Sequence, residues 1–130
     1  MDNGTKLYYT WNDFEDDIPM LVKRISALGP FNGICGIQRG GGTLAIKLSH
    51  MLDMVLVDGG VNSKTLVVDD VADTGSMLHP FKERGATLLT IFYKPWSKIE
   101  PHIWLRKTES FVYFPWENTP YPIRQISPSP

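Results

Sequence analysis

The chain has 130 residues, a formal net charge of −1 at pH 7 and one cysteine, Cys35. This length predicts a single domain, residues 1–130, with one hydrophobic core. The near-neutral charge and the lack of a Lys/Arg cluster argue against a nucleic-acid partner. No apolar run approaches the roughly 18 residues of a membrane span and no signal-peptide core is found, so no membrane partner is expected. A lone cysteine cannot form an internal disulfide, which favours a reducing, cytoplasmic location.

Hydrophobic periodicity and turn residues predict strands that alternate with helices, an order typical of an α/β fold with a central parallel sheet. In chain order we predict a helix over 11–28 capped by Thr10, a strand over 33–37, a glycine-rich turn over 38–42, a helix over 43–52, strands over 54–57 and 65–68, a helix over 78–84, and strands over 88–92 and 111–114. The Ser-Pro repeat at 127–130 predicts a disordered tail.

The segment from Leu66 to Met77, LVVDDVADTGSM, carries the most chemistry. Its apolar strand ends in two carboxylates, Asp69 and Asp70, and a third, Asp73, opens a loop that contains two hydroxyls and a glycine. Polar groups at the carboxyl end of a parallel strand lie where α/β sheets bind ligands. The glycine lets the backbone approach a ligand, and the next helix offers its N-terminus to a phosphate. The pattern therefore predicts a site for a phosphorylated sugar.

This segment resembles the 5-phosphoribosyl-1-diphosphate (PRPP) motif of the type I phosphoribosyltransferases. The resemblance implies that Asp69 and Asp70 hold the ribose hydroxyls, directly or through Mg²⁺, and that Asp73 is the general base for the ring proton of a purine. It also implies a cradle for the 5′-phosphate, formed by Asp73, Thr74, Gly75, Ser76 and Met77. Methionine departs from the family pattern, which has Thr or Ser at that last position. The alternative for Asp73 is a residue that caps the following helix.

A second motif, Gly36 to Gly41, reads GIQRGG and follows a predicted strand. It resembles the pyrophosphate loop of the same family, in which an Arg or Lys lies beside glycines. By this resemblance Gln38, Arg39, Gly40 and Gly41 bind the diphosphate, and the peptide bond between Gln38 and Arg39 is cis. An exposed turn is the alternative interpretation.

Two further segments resemble the purine-binding parts of the 6-oxopurine phosphoribosyltransferases, which act on xanthine, guanine or hypoxanthine. The first contains Lys94, whose ammonium would donate to the purine O6. The second implies that Phe111 is the ring that stacks on the base, that Val112 is a backbone contact, and that Glu117 is an acid near the metal or the pyrophosphate. The alternatives are a solvated lysine after an edge strand and a plain core strand.

The resemblance implies the type I phosphoribosyltransferase fold, with residues of about 95–126 forming a small C-terminal cap that binds the purine. It implies a glycosyltransferase that uses Mg²⁺ and transfers the phosphoribosyl group of PRPP to guanine, xanthine or hypoxanthine. A homodimer is expected because the family is usually oligomeric and Trp96, Trp104 and Tyr121 offer apolar surface. Only residues 58–64 stand where the family has a long flexible hood. The short hood region and Met77 favour one alternative, a catalytically silent PRPP- or nucleotide-binding module. A phosphoribosyltransferase for another base, in which Lys94 is a surface residue, is the other.

Overall fold

A four-stranded parallel sheet forms the centre of the computed structural model, which describes residues 3–117. The elements are β1 (Lys6–Tyr8), α1 (Trp11–Leu28), β2 (Gly33–Gly36), α2 (Gly40–Leu52), β3 (Thr65–Ala72), α3 (His79–Glu83), β4 (Thr87–Tyr93), β5 (Ile103–Lys107) and β6 (Phe111–Tyr113). The sheet order is β2-β3-β4-β5, and β1 pairs with β6 in a separate parallel pair. Helices α1 and α2 pack on one face of the sheet and α3 on the other. The predicted α/β fold with a central parallel sheet flanked by helices is confirmed.

Two predicted segments extend beyond the part of the chain that the structure describes. The tail at 127–130 and residues 118–126 of the predicted cap, with Tyr121 among them, lie outside the described residues. Within residues 3–117, no helix combines the length and the apolar character that a membrane span requires.

Helix α1 begins and ends where the sequence predicts. The Thr10 hydroxyl accepts a hydrogen bond from the Asp13 N–H, and the Asp13 carboxylate accepts one from the Thr10 N–H, at 3.0 and 2.9 Å. This reciprocal capping box satisfies two N–H groups that a helix start would otherwise leave without partners. The apolar side chains at helical spacing, Phe14, Ile18, Leu21 and Ile25, are buried in the core.

The region after β2 differs from the prediction at two points. Helix α2 begins at Gly40, within the predicted glycine-rich turn, rather than at Thr43. The glycines serve close packing there, because a methyl group on Gly41 would overlap the carbonyl oxygen of Val68 in β3. The predicted strand over 54–57 is reduced to an isolated bridge to β2 through Leu56, which is 48% exposed. Val55 and Leu56 are exposed, and only Met54 and Val57 pack against the core, so little burial supports a longer strand.

Strand β3 is longer than predicted and changes the setting of the two adjacent aspartates. It runs to Ala72, and both Asp69 and Asp70 lie within it rather than after it. Asp69 is aligned with Thr90 of β4, and Val71 with Phe92. The polarity of Asp69 and Asp70 suggested that the strand ends before them, but pairing with β4 continues it past both residues.

The C-terminal third contributes more to the sheet than the sequence indicated. Strand β5 lies inside the predicted cap, yet it pairs with β4 in the central sheet. Strand β6 pairs with β1, a three-residue strand that the periodicity did not reveal. Both unpredicted strands are short, and β5 runs from the buried Ile103 to two exposed residues, so neither shows a clear alternation of apolar and polar residues.

A buried ionic cluster joins α1 to β5. Asp17 is 2% exposed and accepts hydrogen bonds from Arg106 at both oxygens, at 2.6 and 2.8 Å, and from the Tyr9 hydroxyl at 2.6 Å. The hydrogen bond from Arg106 to Asp17 raises the pKa of that guanidinium. Burial, reinforced by Asp17, raises the pKa of Tyr9 above its ordinary range. Arg106 therefore stays charged and Tyr9 stays a donor, so Asp17 keeps three charge-assisted bonds.

Asp17→Ala should lower the free energy of unfolding by about 2–4 kcal/mol, because it leaves the Tyr9 hydroxyl and the Arg106 guanidinium without their acceptor. The matched control is Glu15→Ala on the same helix, whose exposed ion pair with Lys47 at 3.2 Å is worth at most about 1 kcal/mol. Urea unfolding of the two variants measures the difference. Equal losses would contradict a stabilising role for the buried cluster.

Candidate active site

The two adjacent aspartates of β3 lie at the meeting point of three elements. Asp70 is 9% exposed, and a methyl group on Gly40 would overlap its carboxylate, so the N-terminus of α2 packs directly against it. Trp116 aims its indole N–H at Asp70 Oδ2 from 3.5 Å, and the Asp70 N–H donates to Asp69 Oδ1 at 2.8 Å. The structure therefore brings both predicted ribose ligands to Gly40 and Gly41, the last residues of the predicted pyrophosphate loop.

The pyrophosphate-loop residues lie between β2 and α2. The peptide bond between Gln38 and Arg39 is cis, as the resemblance implied, and both side chains are exposed. Gly40 and Gly41 form the first turn of α2, where the Gly41 N–H donates to the Ile37 carbonyl at 2.8 Å. The exposed-turn alternative does not account for these glycines, because their contacts with β3 require the absence of a side chain.

The loop after β3 has the compact form expected of an anion cradle. Gly75 has φ of +93°, a conformation that favours glycine, and a Cβ there would lie 3.0 Å from the Ile99 nitrogen. The hydroxyls of Thr74 and Ser76 lie 3.0 Å apart on the exposed side. A small cavity of about 60 Å³, the loop cavity, is lined by residues of β3, by Leu78, and by Asp73, Thr74, Gly75 and Met77 of this loop.

Asp73 does not cap the following helix. The residue at the start of α3 is Leu78, which makes no side-chain capping bond, and α3 has only five residues. Asp73 is exposed, and its Oδ1 accepts a hydrogen bond of 2.8 Å from the Trp96 indole N–H. The capping interpretation is wrong, and the carboxylate lies between the loop cavity and a second cavity described next.

The second cavity, of about 190 Å³, holds the residues that the resemblance assigned to the purine; we call it the lysine cavity. Lys94, Phe111, Val112 and Glu117 line it together with Asp70 and Asp73. Lys94 is 5% exposed and follows β4, an inner strand of the sheet, so the solvated edge-lysine interpretation is wrong. Its ammonium donates to the Ser110 carbonyl and lies 5.3 Å from the centre of the Trp96 ring.

Strand β6 presents a side chain and a peptide edge to the lysine cavity. Phe111 is 49% exposed, whereas Val112 is buried. The Phe111 N–H donates to the Thr5 carbonyl, and the Tyr113 carbonyl accepts from the Tyr9 N–H. Because peptide groups alternate along a parallel ladder, the N–H and C=O of Val112 point away from β1. They are available to the edge of a planar ligand stacked on Phe111.

Glu117 lines the lysine cavity but is engaged locally. Its Oε1 accepts a hydrogen bond from the Phe114 N–H at 2.8 Å and closes the turn after β6. In residues 3–117, no three His, Cys, Asp or Glu side chains form a group that could hold a metal ion. The structure therefore does not unite Glu117 with Asp69 and Asp70 as a metal-binding set of three.

Two tryptophans near the aspartates were missed by the sequence reasoning. Trp96 hydrogen-bonds Asp73 and Trp116 faces Asp70, while Trp116 also stacks on Phe114 with ring centres 5.2 Å apart. The only signal in the sequence was an enrichment in aromatics after Pro95, which does not specify partners.

The side of the site where the family has its hood is open. Between the Leu56 bridge and β3 the chain has only a short connection, in which Asp58, Gly59 and Gly60 are exposed. This connection borders a large cleft of about 700 Å³ that is also lined by Gln38 and Met77. The predicted shortness of the hood region is confirmed.

Comparisons with known proteins agree with this geometry, although no family model matches the chain. A xanthine-guanine phosphoribosyltransferase of Nitratidesulfovibrio vulgaris is 26% identical over 135 residues, covering 84% of this chain and 83% of the relative. A relative of the same name from Cereibacter sphaeroides is 24% identical, with 85% and 86% covered. The crystal structure of a purine phosphoribosyltransferase from Pyrococcus horikoshii superimposes with a TM-score of 0.79 at 29% identity, covering 88% and 96%. The chain is thus similar in sequence and fold to the xanthine-guanine and purine phosphoribosyltransferases.

A second solved structure supports the fold. The xanthine-guanine-hypoxanthine phosphoribosyltransferase of Helicobacter pylori has a TM-score of 0.75 at 22% identity, covering 84% of this chain and 90% of that chain. The predicted type I phosphoribosyltransferase fold is thus confirmed.

The electrostatics of Asp69 and Asp70 fit a divalent cation. Burial, with the charge of Asp70 added, raises the pKa of Asp69 from 3.8 to about 8, and burial also raises the pKa of Asp70. Two carboxylates this close and this desolvated resist being ionised together. A hard cation with oxygen preference relieves that cost, so the pair is suited to Mg²⁺.

The raised pKa of Asp69 predicts a dependence of stability on pH in the absence of metal. The pKa of Asp69 is higher in the folded than in the unfolded protein, so the protonated carboxyl group contributes to the free energy of unfolding. This contribution is complete below about pH 4 and is lost as pH rises through about 8. With EDTA present, the unfolding free energy of the wild type should fall relative to Asp69→Asn by at most about 1.4 kcal/mol per pH unit over this window. Urea unfolding at pH 4 to 9 measures this; parallel curves for the two proteins would contradict it.

Proposed function

We propose that this protein transfers the 5-phosphoribosyl group of PRPP to a ring nitrogen of a 6-oxopurine, with release of pyrophosphate. The observation that carries the proposal is the lysine cavity, in which Asp73 and Lys94 line one space with Phe111 and Val112. A protein that binds PRPP alone has no need of this second cavity. The names of the relatives, xanthine-guanine and purine phosphoribosyltransferase, support the same reaction class.

PRPP is proposed to lie across the carboxyl ends of β2 and β3. The loop from Asp73 to Met77 holds the 5′-phosphate, because its compact turn and its two hydroxyls suit an anion. Asp69 and Asp70 bind the ribose hydroxyls and Mg²⁺. Gln38, Arg39, Gly40 and Gly41 bind the diphosphate, for which Arg39 supplies the positive charge. Met77 supplies no hydroxyl, so Thr74 and Ser76 provide the side-chain donors.

The purine is proposed to stack on Phe111 in the lysine cavity. Lys94 donates to O6, since a buried ammonium favours a carbonyl and repels an exocyclic amine. The Val112 peptide contacts the edge of the base. Glu117 lines the same cavity, but its Oε1 is held by the Phe114 N–H, so we assign it no direct contact with the metal. Guanine, xanthine and hypoxanthine all carry the required O6.

In the reaction, the purine nitrogen bonds to C1 of the ribose while the bond from C1 to the diphosphate oxygen breaks. Asp73 takes the proton that the attacking nitrogen loses. Positive charge develops on the sugar and negative charge on the leaving diphosphate, which Arg39 stabilises. When bound, Mg²⁺ supplies further positive charge to the diphosphate.

A catalytically silent PRPP- or nucleotide-binding module is the second candidate, and the open hood side favours it. Exposed residues border the large cleft there, so the described chain does not exclude water on that side. A second subunit that covered the cleft would exclude this water.

We propose that the protein is a homodimer, because Leu56 and Met77 expose apolar side chains at the cleft. We also propose that it acts in the cytoplasm, because Cys35 is a free thiol.

Purified protein supplied with PRPP, Mg²⁺ and one base at a time should form nucleotide with guanine, xanthine or hypoxanthine, and much less with adenine or uracil. Nucleotide formation followed by chromatography measures this. Turnover with adenine or uracil alone would support a phosphoribosyltransferase for another base. No turnover with any base, together with calorimetric binding of PRPP or nucleotide, would support the silent module.

Asp73→Asn should reduce kcat at least about 100-fold, because the amide cannot accept the purine proton. Binding of PRPP, measured by calorimetry, should stay close to that of the wild type, since the backbone of the loop is unchanged. Asp16→Asn, at an exposed position of α1, is the control for the loss of one carboxylate. Unchanged turnover in Asp73→Asn would remove Asp73 as the base.

A further inference from the structure

We propose that Trp96 is a positioning residue for two groups that act on the purine, the proposed base Asp73 and the proposed O6 donor Lys94. Its indole N–H holds one oxygen of Asp73 so that the other oxygen serves the purine proton, and its ring holds the ammonium of Lys94. This inference rests on the proposed function and adds to it a residue that orients the proposed base and the proposed O6 donor together.

The contact with Asp73 is a direct hydrogen bond of 2.8 Å from Trp96 Nε1 to Asp73 Oδ1. Asp73 is exposed at the start of a loop, so without a partner its carboxylate would sample several rotamers. The indole N–H is only a donor, so it can fix an oxygen without competing for the proton. Oδ2 is then the oxygen that remains for the substrate.

The segment that carries Trp96 is itself fixed to the phosphate loop. The Lys98 N–H donates to the Thr74 carbonyl at 3.0 Å, and Ser97 and Ile99 pack so closely on Gly75 that a Cβ there would lie 3.0–3.3 Å from them. The loop after β3 and the turn after β4 therefore form one unit. Trp96 is held relative to Asp73 by backbone contacts on both sides of the hydrogen bond.

The same ring also orients the lysine. The Lys94 ammonium lies 5.3 Å from the centre of the Trp96 ring, within the range of a cation–π interaction, and also donates to the Ser110 carbonyl. The charged groups that share the lysine cavity with Asp73 and Lys94 are Asp70 and Glu117, and Asp69 shares the loop cavity. Trp96 carries no charge, and it contacts both Asp73 and Lys94. Loss of the indole should therefore disturb proton transfer more than PRPP binding.

The test compares Trp96→Phe with Trp104→Phe. Phenylalanine keeps an aromatic face but removes the N–H, and Trp104 is a matched control because its N–H donates to Glu100 at 3.1 Å, away from the site. Trp96→Phe should lower kcat with guanine about tenfold, with KM for PRPP within about twofold and an unchanged melting temperature. Trp104→Phe should keep the wild-type kcat. Trp96→His, which restores a ring N–H, should recover part of the loss.

Three results would overturn the inference. The first is an active wild type in which Trp96→Phe and Trp104→Phe have the same kcat. The second is a loss in Trp96→Phe that comes with a lower melting temperature and an equal rise in KM for PRPP. The third is an indole N–H resonance of Trp96 that does not move in Asp73→Ala, recorded with the Trp104 resonance as reference. Absence of turnover in the wild type with every base would instead overturn the proposed function, and this inference with it.

Discussion

The close approach of β2, α2 and β3 is the constraint on which the site depends. A Cβ on Gly36 would lie 2.5 Å from the Gly41 carbonyl oxygen, and methyl groups on Gly40 and Gly41 would overlap Asp70 and the backbone of β3. Only glycine permits these contacts. They bring the pyrophosphate loop against the aspartate pair, so two motifs that lie about one strand apart in the sequence form one surface.

This packing also creates the unusual electrostatics of Asp69 and Asp70. The same helix start that approaches Asp70 removes water from it, and the resulting desolvation is the main reason that both pKa values are raised. Asp17 provides a contrast, because it is buried to a greater degree but has Arg106 and Tyr9 as partners. One buried carboxylate is thus satisfied by the protein, whereas the pair in β3 is the one proposed to bind ligands that arrive from solution.

The sequence predicted the local features of the fold and site well and the distant ones poorly. Helix α1 and the loop around Gly75 follow from short-range patterns, the cis peptide between Gln38 and Arg39 was implied by the family resemblance, and the structure contains all three. The end of β3, strand β5 and strand β1 depend on pairing with partners far along the chain, which periodicity does not report. The contacts of Trp96 and Trp116 with the aspartates belong to the second kind. They arise only when the turns after β4 and β6 fold back onto β3.

The two sides of the site differ in how far the described chain encloses them. On the purine side Asp70, Lys94 and Val112 are buried whereas Asp73, Phe111 and Glu117 are exposed. The rings of Tyr9, Phe114 and Trp116 pack behind this side with centres 5.2–6.3 Å apart. The diphosphate side opens through Gln38 onto the large cleft. Proton transfer from the purine needs a fixed, dry geometry, whereas a diphosphate that must enter and leave tolerates solvent. A rigid aromatic wall beside the base, with Trp96 and Trp116 oriented toward the carboxylates, therefore suits a phosphoribosyltransferase in which the hood is short.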